Sequence, residues 1–107
     1  MKFGLKEKQF RFLLEALKEH LLKDYPNSKI WIFGSRARGD HRSASDIDLL
    51  IESIDKVPNR VLALLRSTLE ESSFPFKVDL VSLDDLAEEY REQVLKERRL
   101  FTPSDRS

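Results

Sequence analysis

The chain contains no cysteine. That removes disulfides, thiolate zinc sites and cysteine nucleophiles together, and it fits a reducing cytosol. Net charge is also missing, because 19 Lys and Arg balance 19 Asp and Glu. A neutral chain lacks the bulk attraction for polyanions behind nonspecific nucleic-acid binding, so such a contact needs a local basic patch. No apolar run is long enough for a membrane span, and the opening MKFGLKEKQF carries charges where a signal peptide needs an apolar stretch. The G-K-[ST] of a Walker A loop is absent, as are internal repeats and low-complexity segments. With 107 residues there is material for one domain with a modest core. The expectation is a soluble, cytoplasmic, single-domain protein.

What is present is patterned. Within residues 5–24, Phe10, Leu13, Leu14, Leu17 and Leu21 recur at three- and four-residue spacing, which predicts an amphipathic helix stopped by Pro26 and Asn27. KIWIF closed by Gly34, SDIDLLIES and KVDLVSL predict three strands. Residues 35–44 form a polar connection that opens with a short helix. Pro58 starts another helix with Val61, Leu64, Leu65 and Leu69 as its apolar stripe. Ser82 and Asp85 read as a capping box for a last helix that uses Leu83, Leu86, Tyr90 and Val94. Helices alternating with strands predict a two-layer α+β fold: a small mixed β-sheet, helices on one face, the other face open. The domain is expected over residues 1–101, with 102–107 a frayed tail.

Strand alternation says what the open face carries. Ile47, Leu49 and Ile51 share the buried face, so Asp46, Asp48, Leu50 and Glu52 share the other. In FKVDLVSL, Phe76, Val78 and Leu80 form the buried set, which sends Asp79 to the same side as the first two aspartates. Asp46 and Asp48 stand roughly 6–7 Å apart at a rise of about 3.3 Å per residue. Two charges at that distance repel by about 2 kcal/mol at an effective dielectric near 20, and Asp79 adds to it. A divalent cation turns this cost into a gain. All-oxygen donors select a hard ion, Mg²⁺ with Mn²⁺ as substitute, and Mg²⁺ is usually held by few carboxylates plus substrate phosphates.

The turn before them suits a phosphate. Gly34 lets backbone approach a ligand without a Cβ in the way, and Ser35 is a good N-cap for the short helix that follows. Arg36, Arg38 and Arg42 bring cations close, and Gly39 permits a sharp exit. Each piece alone has an ordinary reading: an Asp-x-Asp at a strand end, a Gly-Ser turn with solvated arginines. Together they are the parts for two-metal phosphoryl or nucleotidyl transfer.

GSRARGDHRSASDID resembles the G-S-x10-D-x-D pattern of the DNA polymerase β nucleotidyltransferase superfamily. WIFGSRARG, SASDIDLLI and FPFKVDLV are similar to its minimal bacterial members, the MNT proteins, over roughly residues 5–100. The resemblance implies the polymerase β-like nucleotidyltransferase fold. It implies that Gly34 and Ser35 bind the terminal phosphates of a nucleoside triphosphate, ATP in the leading reading, with Arg38 assisting. It implies that Asp46 and Asp48 ligate two Mg²⁺ ions, and that Asp79 completes the catalytic metal site and helps activate the acceptor hydroxyl. Relatives often have a glycine in the stretch corresponding to LKERRLF, and this chain has none there.

The resemblance also implies a partner. Minimal members lack the helical second domain with which larger nucleotidyltransferases hold their acceptor, and an open sheet positions a second substrate poorly. In the family a small helical protein of the HEPN class covers the site, the pair acts as toxin and antitoxin, and AMP passes to a hydroxyl of the toxin. Two rivals stand beside this reading: transfer to a small-molecule hydroxyl such as an aminoglycoside, and a non-catalytic module that occludes its partner. Strand extension on nucleic acid does not suit a neutral chain, and an oligomer is allowed. Several residues are set aside. His20 and His41 lack shared metal spacing, LKEKQ and KERR read as solvated helix faces, Phe33 reads as core, and Trp31 could face either side.

Overall fold

In a computed structural model that describes residues 2–102, Leu13, Leu17 and Leu21 line one side of the first helix and are fully buried. This helix, α1, spans Glu7–Leu17 and continues through a π turn at Lys18–Leu22, where the Lys23 N–H donates to the Lys18 carbonyl at 2.9 Å. The strand β1 (Lys29–Phe33) leads into a one-turn helix, α2 (Ser35–Arg38), and the loop beyond it into β2 (Ile47–Glu52). Helix α3 (Asn59–Glu71) and strand β3 (Val78–Ser82) follow. A 3₁₀ turn at Leu83–Asp85 precedes α4 (Glu88–Glu97) and a two-residue strand, β4 (Arg99–Leu100).

The sheet order is β3-β2-β1-β4, with β2 parallel to β3 and β1 antiparallel to both β2 and β4. This is the expected small mixed α+β sheet. Ile30 and Ile32 of β1, Ile47, Leu49 and Ile51 of β2, and Val78 and Leu80 of β3 all face one core, with the leucines of α1 and α3 and Phe101.

The structure differs from the sequence reading at several points. In α3 the buried stripe is Leu62, Leu65 and Leu69, whereas Leu64 is 63% exposed. Both stripes contain Leu65 and Leu69, and only the position of the sheet decides between their neighbours. Ser82 does not cap the last helix: it is the final residue of β3, and α4 starts only at Glu88. Tyr90 is exposed, while Val94 is buried. β4 is too short and too charged to read as a strand, yet it pairs Leu100 with Trp31 and Arg99 with Ile32. Thr102 is buried and its N–H lies 3.3 Å from the Ile30 carbonyl, and residues 103–107 of the expected tail lie outside the described residues. The carboxylate face is also less open than expected. Leu50 on that face and Val94 are both buried yet lie outside the main core cluster, and the end of α4 reaches back toward β1.

The loop from α2 to β2 folds around Arg36, which is 2% exposed. Its guanidinium donates to the Ser45 carbonyl at 2.9 and 3.1 Å, to Phe3 at 2.9 Å and to Ser43 at 3.4 Å, and it stacks on Phe76 with 4.5 Å to the ring centroid. Arg36 is therefore a structural clamp and not the phosphate cation that its neighbourhood implied. Burial holds its pKa below the ordinary arginine value, with nearby Asp46 pulling the other way. Arg36→Met strands buried carbonyls and is expected to cost about 2–4 kcal/mol. Thermal denaturation should show a melting temperature lower by about 10–20 °C. Arg36→Lys should recover little of it, since one ammonium cannot span three carbonyls.

Candidate active site

The parallel register of β2 and β3 sets Asp48 directly beside Asp79, and the antiparallel register of β1 sets Phe33 on the other side of Asp48. Asp46 stands one residue before β2, exposed at the mouth of the loop that Arg36 holds. Asp48 is half-buried, Asp79 partly exposed. The expected three aspartates thus share one end of one sheet face. Lys77 lies 3.9 Å from Asp79, a solvent-facing pair that offsets little of the local negative charge.

The Asp48 carboxyl is pushed up to about 6, first by burial, then by the charges of Asp79 and Asp46, a hydrogen bond with Asp79, and the charge of Glu97. The raised Asp48 value expresses the cost of placing a second negative charge, half-buried, beside Asp79. Among the described residues no three carboxylate or imidazole groups are set to grip one ion as they stand. The Asp48–Asp79 pair, with exposed Asp46 at the loop mouth, offers only oxygen donors, the kind that suits a hard cation. His41 packs against Gly4 and takes no part.

Gly34 connects this cluster to the turn. Its backbone sits at φ 77°, ψ −157°, a region nearly closed to L side chains. A Cβ there would drive into the Asp48 carboxylate, whose Oδ2 already occupies that space. Position 34 is thus glycine for two reasons: its own conformation and the carboxylate resting against it. Its carbonyl accepts from the N–H groups of Ala37 and Arg38 and so closes α2.

Sequence reasoning missed Glu97. Assigned with KERR to a solvated face, it has a side chain only 9% exposed. It accepts from the Gly34 N–H at 2.8 Å, from Arg38 at 3.2 and 3.3 Å, and from Gln93 at 3.2 Å. Burial pushes its pKa up, but the bonds from Gln93, Gly34 and Arg38 outweigh that and hold it below the usual glutamate value. Arg38 is exposed and bonded to Asp40 at 3.1 Å as well as to Glu97, and these carboxylates raise its pKa. Arg98, the next residue, stacks on Trp31 at 4.0 Å and bonds Glu52 at 3.1 Å, while the Trp31 indole N–H donates to Glu52 at 2.9 Å. Trp31 and Phe33 both lie on the carboxylate face, so the core assignment of Phe33 does not hold: Ile30 and Ile32 take the inward positions. No periodicity in KERR distinguishes its inward members, because their hydrogen-bond partners beyond α4 lie 46 to 63 residues away.

Two outcomes are expected. Gly34→Ala should destabilise the fold by about 2–4 kcal/mol, through strain and collision with Asp48. Gly39→Ala, at φ 88° with open space around it, should cost only about 1 kcal/mol; denaturant melts of the two variants compare them. The Asp48 shift sets the second. A carboxyl raised in the folded state favours the neutral form, so the metal-free protein loses stability as pH climbs from about 4 to about 6, and carries the full cost above that. Asp48→Asn removes the cost. It should stabilise the protein in a chelator at about pH 7.5 by about 1–2 kcal/mol, after discounting for a half-exposed group, with no gain at about pH 4. Thermal melts across that range measure it.

Comparison with known proteins gives an independent line. The family model described as polymerase beta, nucleotidyltransferase matches residues 15–107. The "Probable protein adenylyltransferase MntA" of Haemophilus influenzae is 31% identical over 84 residues, which span 78% of this chain and 71% of that one. A chain in the crystal structure of a toxin-antitoxin with AMP-PNP superposes with a TM-score of 0.65 at 26% identity, covering 94% of this chain and 75% of that chain. A chain from the complex of tri-AMPylated Shewanella oneidensis HEPN toxin with MNT antitoxin gives a TM-score of 0.61 at 22% identity, covering 89% and 73%; this likeness is one of fold.

Proposed function

Since the chain belongs to the polymerase beta nucleotidyltransferase family, we propose that it transfers AMP from ATP to a hydroxyl of a cognate helical partner of the HEPN class, as the antitoxin of a toxin-antitoxin pair in the cytoplasm. The observation that carries this reading is the Gly34–Asp48 contact. It sets the turn assigned to phosphate directly against a carboxylate assigned to metal, which supports a triphosphate and its metal ions sharing this end of the sheet.

Within that site the residues have distinct tasks. The Gly34–Ser35 turn receives the terminal phosphates: Gly34 by lacking a Cβ, Ser35 through its amide and hydroxyl, Arg38 by its charge. Asp46, Asp48 and Asp79 would hold two Mg²⁺ ions, with Mn²⁺ as substitute. When bound, these ions supply the positive charge that offsets the triphosphate and makes a hydroxyl acidic enough to attack. The unfavourable charge on Asp48 beside Asp79 is what a bound cation would offset. As the acceptor oxygen bonds to the α-phosphorus, the bond to the bridging oxygen of the β-phosphate breaks and pyrophosphate leaves. Asp79, which is partly exposed, takes the hydroxyl proton. The exposed end of this face cannot by itself orient a second substrate, and orientation supplies much of the rate in phosphoryl transfer. A docked partner supplies both acceptor and cover. Relatives named as protein adenylyltransferases, and a toxin-antitoxin complex holding AMP-PNP, support AMP and a protein acceptor over other choices.

Intact-mass spectrometry of the helical protein encoded beside this one tests the reading, after incubation with this chain, ATP and Mg²⁺. A mass gain of one or more AMP units is expected, and it should vanish with the Asp46→Asn, Asp48→Asn double variant or with chelator. A stable complex without mass gain would exclude a protein acceptor. It would favour a small-molecule hydroxyl, or simple occlusion if the double variant still neutralises the partner.

A further inference from the structure

Glu97 is joined to the nucleotide-binding turn by more than proximity. Its carboxylate bonds the Gly34 amide, the Arg38 guanidinium and, within α4, the Gln93 amide. Gln93 and Glu97 stand one helical turn apart, so the carboxylate is braced against its own helix before it reaches across. We propose that Glu97 is a positioning residue of the nucleotide site, a role that rests on the function proposed above: it fixes the Gly34 peptide and aims Arg38 at the incoming triphosphate.

Two features favour a strut over a displaceable plug. The first is what Glu97 leaves alone. It takes the Gly34 amide, one residue before the Ser35 amide and hydroxyl assigned to phosphate, and among the described residues Glu97 makes no bond to Ser35. The second is how firmly the backbone around it is held. Arg98 stacks on Trp31 and bonds Glu52, and the chain then pairs with β1 through Arg99 and Leu100. The end of α4 cannot swing away without breaking those contacts. Gly34 is thereby gripped from two sides, by Glu97 at its N–H and by Asp48 against its Cα. Arg38 gains most from the arrangement. An exposed arginine is free to sample many rotamers, and restraint by Asp40 and Glu97 removes in advance the ordering that phosphate binding otherwise demands.

The test uses a fluorescent ATP analogue for affinity and AMP transfer to the partner for KM and kcat, on wild type, Glu97→Ala, Glu97→Gln, Arg38→Ala and the Glu97→Ala, Arg38→Ala double variant. Glu97→Ala is expected to weaken nucleotide binding and raise the KM for ATP by about tenfold or more, with a smaller change in kcat. Glu97→Gln keeps an acceptor for Gly34 but loses the charge facing Arg38, so its effect should be intermediate; it also provides a folded variant if Glu97→Ala melts below the assay temperature. The double variant should fall short of the sum of the two single effects, because part of what Glu97 does runs through Arg38, and it should stay worse than Arg38→Ala by the part that runs through the Gly34 N–H. Unchanged ATP affinity in a folded Glu97→Gln with a lowered melting temperature overturns the role and leaves Glu97 a stabilising contact only. Tighter ATP binding overturns it in the other direction, since Glu97 would then compete with phosphate. Wild-type protein that binds no nucleotide overturns the proposed function itself, and this role with it.

Discussion

An oxygen of the Asp48 carboxylate rests where the side chain of any residue other than glycine at position 34 would stand. Most of the site's geometry depends on that approach. Gly34 must leave β1 with a positive φ so that α2 can start at Ser35, and its missing Cβ lets β2 bring a carboxylate against the turn. The pairing of Phe33 with Asp48 fixes the height of that carboxylate on the sheet, and the parallel pairing of Asp48 with Asp79 supplies its neighbour. One residue of slippage between β1 and β2 would turn Asp48 into the core and Leu49 out of it. The core therefore enforces the site: a one-residue shift would expose Ile47, Leu49 and Ile51 together.

The electrostatics follow the same arrangement. Burial and two neighbouring aspartates make the charged form of Asp48 unfavourable, and the negative charge of Glu97 adds to this. The nearby arginines do not offset this charge, because each is engaged elsewhere. Arg36 is spent on backbone carbonyls and holds the loop that delivers Asp46. Arg38 is restrained by Asp40 and Glu97 beside the turn, and Arg98 is stacked on Trp31. None of the three forms an ion pair with Asp46, Asp48 or Asp79 among the described residues. The negative charge of this face is thus left largely uncompensated, the condition under which a bound cation gains most.

Glu97 and Arg98 show why a charge-rich helix end can be misread. In sequence, KERR has the composition of a solvated face, and Lys96 and Arg99 are indeed exposed. The two residues between them are turned inward by the direction α4 takes before β4 pairs with β1. Similar logic applies to Leu64 and Tyr90, which periodicity placed in apolar stripes and the fold leaves exposed. Periodicity measures angular spacing around a helix, and the azimuth is set by whatever the helix packs against.

The sequence by itself determined the three longer strands, the helices between them and the face on which the aspartates stand, because strand alternation and helical spacing are local consequences of backbone geometry. It also carried the Gly-Ser turn and the Asp-x-Asp spacing, since those pieces are contiguous in the chain. Only the tertiary structure decided that β3 runs beside β2 so that Asp79 meets Asp48, that Arg36 is buried while Arg38 is not, and that a glutamate from the last helix grips the turn after the first strand. Those outcomes depend on pairings between residues tens of positions apart, whose cost in chain entropy is recovered only when the whole core closes, and no local pattern records them.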